Sequence, residues 1–215
     1  MVEKSSPQAK TVYIVRHGQA EHNVGPDEDH RIRDPNLTQL GRSQADELRE
    51  KLSQHPISFD LIVCSPMRRT LQTMEIGLRD SLQTGIIPID ICPLVEEAGD
   101  WPCDIGLEVE ETAQKFPKYN FKACQDGVYP AREGIYRGDY ESNMQRATKA
   151  LEYIKNLPQK EIVVVTHSVF IRFLLRQQKP EEDLNFMPSE KVFKNCECRK
   201  YSLDFKDDEL QLIPA

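Results

Sequence analysis

The chain has no run of about 18 apolar residues, so nothing in it reads as a transmembrane helix. Residues 1–10 also lack the apolar stretch of a secretory signal and read as a disordered arm. The expected location is the cytoplasm, with the nucleus open to it as well. An excess of positive charge is missing too: 28 Lys and Arg stand against 35 Asp and Glu, a net charge of −7. That balance argues against a nucleic-acid binder, which would carry a basic stripe. It leaves room for a phosphorylated substrate held in a locally basic pocket. The six cysteines include no Cys-x-x-Cys pair, and metal-ligand spacing is absent. They read as free thiols of a reducing compartment, and neither a metal nor a cofactor is expected. The expected partner is a small phosphorylated substrate, with a phosphoprotein as the other option. Neither nucleic acid nor membrane is expected.

What is present is the pattern of an α/β protein. The 215 residues suit one domain, placed at 11–215, with an insertion over 97–138. Thr11–Val15, Leu61–Cys64 and Ile162–Thr166 are short β-branched runs that predict strands buried on both faces. A shorter strand is expected at Ile87–Ile91, and two more near Cys198–Phe205 and Leu210–Ile213, with a turn at Lys206–Asp208. Helices are predicted from Thr38 to Ser53, Met67 to Leu82, Asp139 to Leu157 and Val169 to Arg176, with a short one at Glu108–Lys115. On the first of these, Leu40, Ala45, Leu48 and Leu52 make the apolar face. Residues 23–36, rich in Gly, Pro and charge, read as a loop. Strands alternating with helices predict a three-layer α/β/α fold with a mostly parallel central sheet, whose ligands bind at the carboxyl ends of the strands.

Three of the predicted strands end in groups suited to phosphate. The first ends in Arg16-His17-Gly18, the second in Ser65 leading to Arg68 and Arg69, and the later one in His167-Ser168. Two of the five histidines thus stand at equivalent strand ends, whereas His30 and His55 read as solvated surface. His22 lies within the first motif and is a candidate for the pocket wall. Alone, each strand-end His would more often be a satisfied core residue. Their coincidence on one rim makes the functional reading the stronger one.

The segment Arg16-His17-Gly18-Gln19, with Asn23 following, resembles the Arg-His-Gly-(Glu/Gln)-x-x-x-Asn signature of the histidine phosphatase, or phosphoglycerate mutase-like, superfamily. Three further stretches are similar to that family's pattern: Leu37-Thr38 through Gly41 to Gln44-Ala45, Ser65-Pro66 through Arg69 to Gln72-Thr73, and Thr166-His167-Ser168. The resemblance spans residues 11–176. It implies a phosphoglycerate mutase-like fold and a nucleophilic His17. It implies phosphate contacts from Arg16, Asn23, Arg69, His167 and Ser168. Chemically, an imidazole can attack while neutral, and guanidinium forks match phosphate oxygens. A protonated His167 would add positive charge where the transition state is negative.

The family's Leu-x-Glu station is matched by Leu94-Val95-Glu96, so Glu96 is the expected general acid, with Glu97 and Asp104 as rivals. The glycolytic mutases of the family carry Glu-Arg-x-Tyr-Gly there, whereas this chain has Glu96-Glu97-Ala98-Gly99-Asp100. That difference favours a phosphatase working through a phosphohistidine. Mutase-type phosphotransfer and a non-catalytic interaction module that keeps the fold are the alternatives. The aromatic and basic residues of 97–138 either select the substrate or anchor the insertion; sequence leaves both open.

Overall fold

The computed structural model describes residues 10–25, 30–180 and 193–215. Most of the predicted arm, residues 1–9, lies outside them. Six strands form one sheet: β1 Lys10–Arg16, β2 Leu61–Cys64, β3 Ile89–Ile91, β4 Glu161–Thr166, β5 Cys198–Lys206 and β6 Glu209–Pro214. Their order across the sheet is β3-β2-β4-β1-β5-β6. The first four are mutually parallel, and β5 and β6 add an antiparallel edge beside β1. A two-residue turn of Asp207 and Asp208, both at positive φ, joins β5 to β6, a geometry that short acidic side chains tolerate in hairpins.

Strand alternation builds two cores, one on each face. Tyr13, Val15, Ile62, Cys64, Val163 and Val165 point to one, and Val12, Ile14, Leu61, Val63, Ile162 and Val164 to the other. This is why these runs are apolar throughout rather than alternating. Helices α1 Gln39–Gln54 and α2 Arg68–Gly77 supply Ala45, Leu48, Leu71 and Met74 to the first core. Helices α5 Tyr140–Asn156 and α6 Ser168–Leu174 supply Ala147, Leu151, Ile154, Phe170 and Phe173 to the second. Thr38 and Asp139 cap α1 and α5 by accepting the backbone N–H groups of Gly41 and Ser142.

Two details depart from the sequence reading. Leu40, placed on the buried face of α1, is 52% exposed because it sits in the first turn, ahead of the packed stripe. The expected helix Met67–Leu82 is two, α2 and α3 Arg79–Gln83, broken at Leu78. Gly77 is the weak helix former at the break, and a Cβ there would meet Leu48 Cδ2 at 2.9 Å, so close packing on α1 favours glycine. The insertion contains one further helix, α4 Val109–Lys115.

Candidate active site

The strands β1, β2 and β4 end side by side and carry Arg16-His17, Ser65 and His167 to one rim. The loop after β1 is held from three sides. Thr73 Oγ1 accepts from Gly18 N–H at 3.0 Å and Gln44 Oε1 from Gln19 N–H at 2.9 Å. Gln72 takes Leu37 N–H at 2.8 Å and donates to Asn36 at 3.0 Å. On the third side, Asn195 Nδ2 donates to the His17 carbonyl at 3.1 Å and Cys196 N–H to that of Arg16, also at 3.1 Å. A Cβ on Gly41 would lie 2.0 Å from the Gln19 carbonyl oxygen, so the start of α1 can touch this loop only with glycine. The side chains of Gln44, Gln72 and Thr73 therefore work as braces of the histidine loop.

His17 is buried, and its Nδ1 stands 2.7 Å from the Gly18 carbonyl. A carbonyl only accepts, so Nδ1 carries the proton and Nε2 keeps its lone pair. Burial, reinforced by Arg69 and Arg16, holds the His17 pKa well below 6.5, so the ring is neutral at pH 7. His167, its ring centroid 5.2 Å away, is also buried, with Nε2 2.7 Å from Ser65 Oγ. If Ser65 donates there, His167 Nδ1 bears the proton and is free to donate. Sequence reading gave a protonated His167 the role of adding positive charge at the transition state. In the structure, burial and then Arg69 push its pKa well below 6.5. Only a dianion beside it would reverse that preference.

Buried donors without protein partners gather around these rings. They include Arg16 Nε, Arg69 Nε and Nη2, His167 Nδ1 and Ser168 Oγ. Arg69 is fully buried, and its Nη1 donates to the Cys103 carbonyl at 2.8 Å. Buried polar groups are almost always satisfied, so several orphaned donors on one rim describe a binding site for an acceptor-rich anion. The cavity over them holds about 200 Å³ and is lined by Arg16, His17, Asn23, Glu97, Asp104 and Ser168 among others.

Two adjacent carboxylates diverge at the acid station. Glu97 reaches the rings: its carboxylate and nitrogens of His17 and His167 lie within 4.8 Å of one another. Its Oε1 accepts from Ala98 N–H at 2.9 Å and from Phe170 N–H, in the first turn of α6, at 3.0 Å. Glu96 turns the other way, into a 2.6 Å ion pair with Arg132. Burial raises its pKa to about 7 despite that partner. Arg146 Nη1 and Nη2 donate to the carbonyls of Glu96 and Glu97 at 2.8 and 2.9 Å, which clamps the dipeptide. Asp104 lines the cavity, and burial followed by the charge of Glu97 raises it to about 6. His17, Glu97 and His167 are the one group among the described residues able to supply three metal ligands.

Comparison with known proteins follows this geometry. The family model of the histidine phosphatase superfamily, branch 1, matches residues 12–213. The chain belongs to the histidine phosphatase superfamily. It is 39% identical to a Schizosaccharomyces pombe protein named as a probable phosphatase, over 93% of both chains. It is 36% identical to a broad-specificity phosphatase of Saccharomyces cerevisiae, over 79% of this chain and 70% of the relative. Among solved structures, the α-ribazole phosphatase from Shigella flexneri aligns with a TM-score of 0.54 over 95% of both chains at 19% identity, a likeness of fold.

Of the residues that carry the resemblance, Arg16, His17, Asn23 and Ser168 line the cavity, and Arg69 and His167 lie beside His17. Asn23 is half committed, since its Oδ1 accepts from Ala20 N–H at 3.0 Å and its Nδ2 lies 3.0 Å from His22 Nε2. Glu96 does not join them; Glu97 does. His30, read as surface, lines the cavity, as does His22. A file of rings, His17, His22, His30 and Trp101, crosses the mouth with centroids 5.8–6.1 Å apart. No short motif marks His30 or Trp101, because their approach depends on how the loop after β1 meets the insertion. The other insertion rings answer the question left open above: Phe116, Phe121, Tyr129 and Tyr136 are buried in the first core and act as anchors.

Proposed function

We propose that this chain hydrolyses phosphomonoesters through a phosphohistidine on His17 Nε2, without a metal. The observation that carries the reading is the neutral His17, with Nε2 unprotonated, among buried donors that lack protein partners. Nε2 attacks phosphorus in line, and Arg16, Arg69, His167 and Ser168 receive the equatorial oxygens. Glu97 is the general acid: protonated, it delivers its proton to the leaving oxygen, and as carboxylate it then takes one from the attacking water. Asp104 stands beside it as a second carboxyl able to share the proton. Glu96 positions Glu97 through Arg132 and Arg146.

A mutase must also hold a second acidic phosphate, and beyond Arg16, which serves the reacting phosphoryl group together with Arg69 behind it, the described residues lining the cavity are carboxylates, imidazoles and uncharged groups. That favours hydrolysis of small monoesters, in keeping with the phosphatase names of the relatives. The test is phosphate release from p-nitrophenyl phosphate across about pH 5–8, with wild type and His17→Ala. Turnover that survives the substitution sinks the assignment. A covalent, acid-labile phosphoryl group trapped on wild type alone supports it.

A further inference from the structure

A second cavity, about 700 Å³, opens along the free edge of the sheet and shares no lining residue with the phosphoryl pocket. Its volume lies in the range that encloses a single small organic molecule, ~300–1,000 Å³. One wall is β3, the edge strand. The Pro88 carbonyl and Cys92 N–H bond to β2 at 3.1 and 2.8 Å. By the alternation of a parallel ladder, the backbone groups of Ile89 and Ile91 face away from β2, on the cavity side. The floor is apolar, from Ile89, Ile91, Pro93, Leu94 and Ile135.

Charge around this cavity is one-sided. Its two acids are engaged internally: Asp90 accepts from Tyr153 Oη at 2.5 Å, and Asp126 from Tyr136 Oη at 2.6 Å and from the N–H groups of Val128 and Tyr129. Its two cations, Lys122 on the insertion and Lys149 on α5, are exposed and make no ion pair among the described residues. An apolar floor, outward backbone groups and two uncommitted ammonium groups complement one kind of occupant.

We propose that this cavity binds an amphipathic organic anion: an apolar body of one or two rings or a short acyl chain, ending in a carboxylate, sulfonate or phosphate. The body covers Ile89, Ile91 and Leu94, and the anionic end lies between Lys122 and Lys149. The site is separate from the phosphoryl pocket and independent of the reaction proposed there.

The experiment titrates full-length protein with 8-anilino-1-naphthalenesulfonate, read by fluorescence, with and without saturating orthovanadate. One probe binds per chain and vanadate does not displace it. The double variant Lys122→Glu/Lys149→Glu binds about tenfold more weakly, and Ala123→Trp, which fills the cavity, loses the signal. N-phenyl-1-naphthylamine, which lacks the sulfonate, binds wild type about tenfold more weakly than the sulfonated probe. Both variants lie at exposed positions outside the phosphoryl machinery, so unchanged melting and p-nitrophenyl phosphate turnover verify their fold. Displacement by vanadate overturns the proposal, as does binding of either variant, or of the neutral probe, at wild-type strength.

Discussion

At the strand ends, the reacting groups stand on regular elements: His17 after β1, Ser65 after β2, His167 after β4 and Arg69 on the second residue of α2. Across the cavity, Glu97 and Trp101 come from irregular chain and Asp104 from a single short 3-10 turn, Pro102–Asp104. The floor owes its geometry to strand ends paired in the sheet and to separate braces on the histidine loop from Gln44, Thr73 and Asn195. The wall owes its geometry to Arg132 and Arg146, 35 or more residues further along, whose guanidinium groups tie the Glu96 and Glu97 carbonyls to the insertion and to α5. Arg132 also donates to the Asp104 carbonyl, so one side chain fixes both ends of the wall. The floor therefore rests on the sheet and on several independent braces, whereas the wall is one buried polar network that stands or falls together.

Substitutions can break that contrast, and the largest effect belongs to the floor. His17→Ala removes the nucleophile, and turnover of p-nitrophenyl phosphate falls by at least ~10⁴-fold while thermal melting is unchanged. The wall is next. Glu97→Gln slows alkyl phosphates by ~10²–10⁴-fold and aryl phosphates, whose leaving groups need little protonation, by much less. Glu96→Gln changes both by less than about tenfold, since a positioning group acts at one remove. If the two substitutions exchange these effects, the wall has been assigned the wrong way round.

Arg132→Met tests the network itself. Breaking one partner of a buried pair costs about 3–5 kcal/mol, read as a lower midpoint in urea. A loss confined to kcat with no change in midpoint would mean that the wall is held by something else. Glu96 adds a pH signature. Its pKa is raised from 4.5 to about 7, so the folded state holds a proton that the unfolded chain releases. The stability linked to it is fully present below about pH 4.5 and is lost as pH rises through about 7. Relative to wild type, Glu96→Gln therefore gains about 3 kcal/mol between pH 4.5 and 8. A flat difference over that window would place Glu96 as an ionised partner of Arg132 throughout. The smallest effect is expected from EDTA, which leaves turnover unchanged if His17, Glu97 and His167 work without a metal. A large loss would make that triad a metal site.

Much of this was legible beforehand. The apolar runs identified β1, β2 and β4 almost to the residue, because burial on both faces leaves no polar position to blur the ends. The motifs identified the floor because a strand-end turn places its next few residues within a narrow space. At the acid station the sequence left Glu96 and its rival Glu97 side by side, and the structure turns Glu97 toward the rings. A short helical turn at Pro93–Val95 ends in extended chain at Glu96, so successive side chains point oppositely, and Leu-x-Glu spacing carries no information about which carboxylate faces inward. His30 was missed for a related reason, since a polar ring in a loop looks the same whether it faces solvent or a cavity.

By itself, the sequence determined which strands are buried and which histidines end them, because those relations run over a few residues of regular geometry. Only the tertiary structure decided that Glu97 rather than Glu96 faces His17, that the rings of the insertion are mostly core, and that Lys122 and Lys149 share one cavity. Each of those depends on segments distant along the chain meeting in space, where packing and buried hydrogen bonds, rather than local periodicity, choose the direction of a side chain.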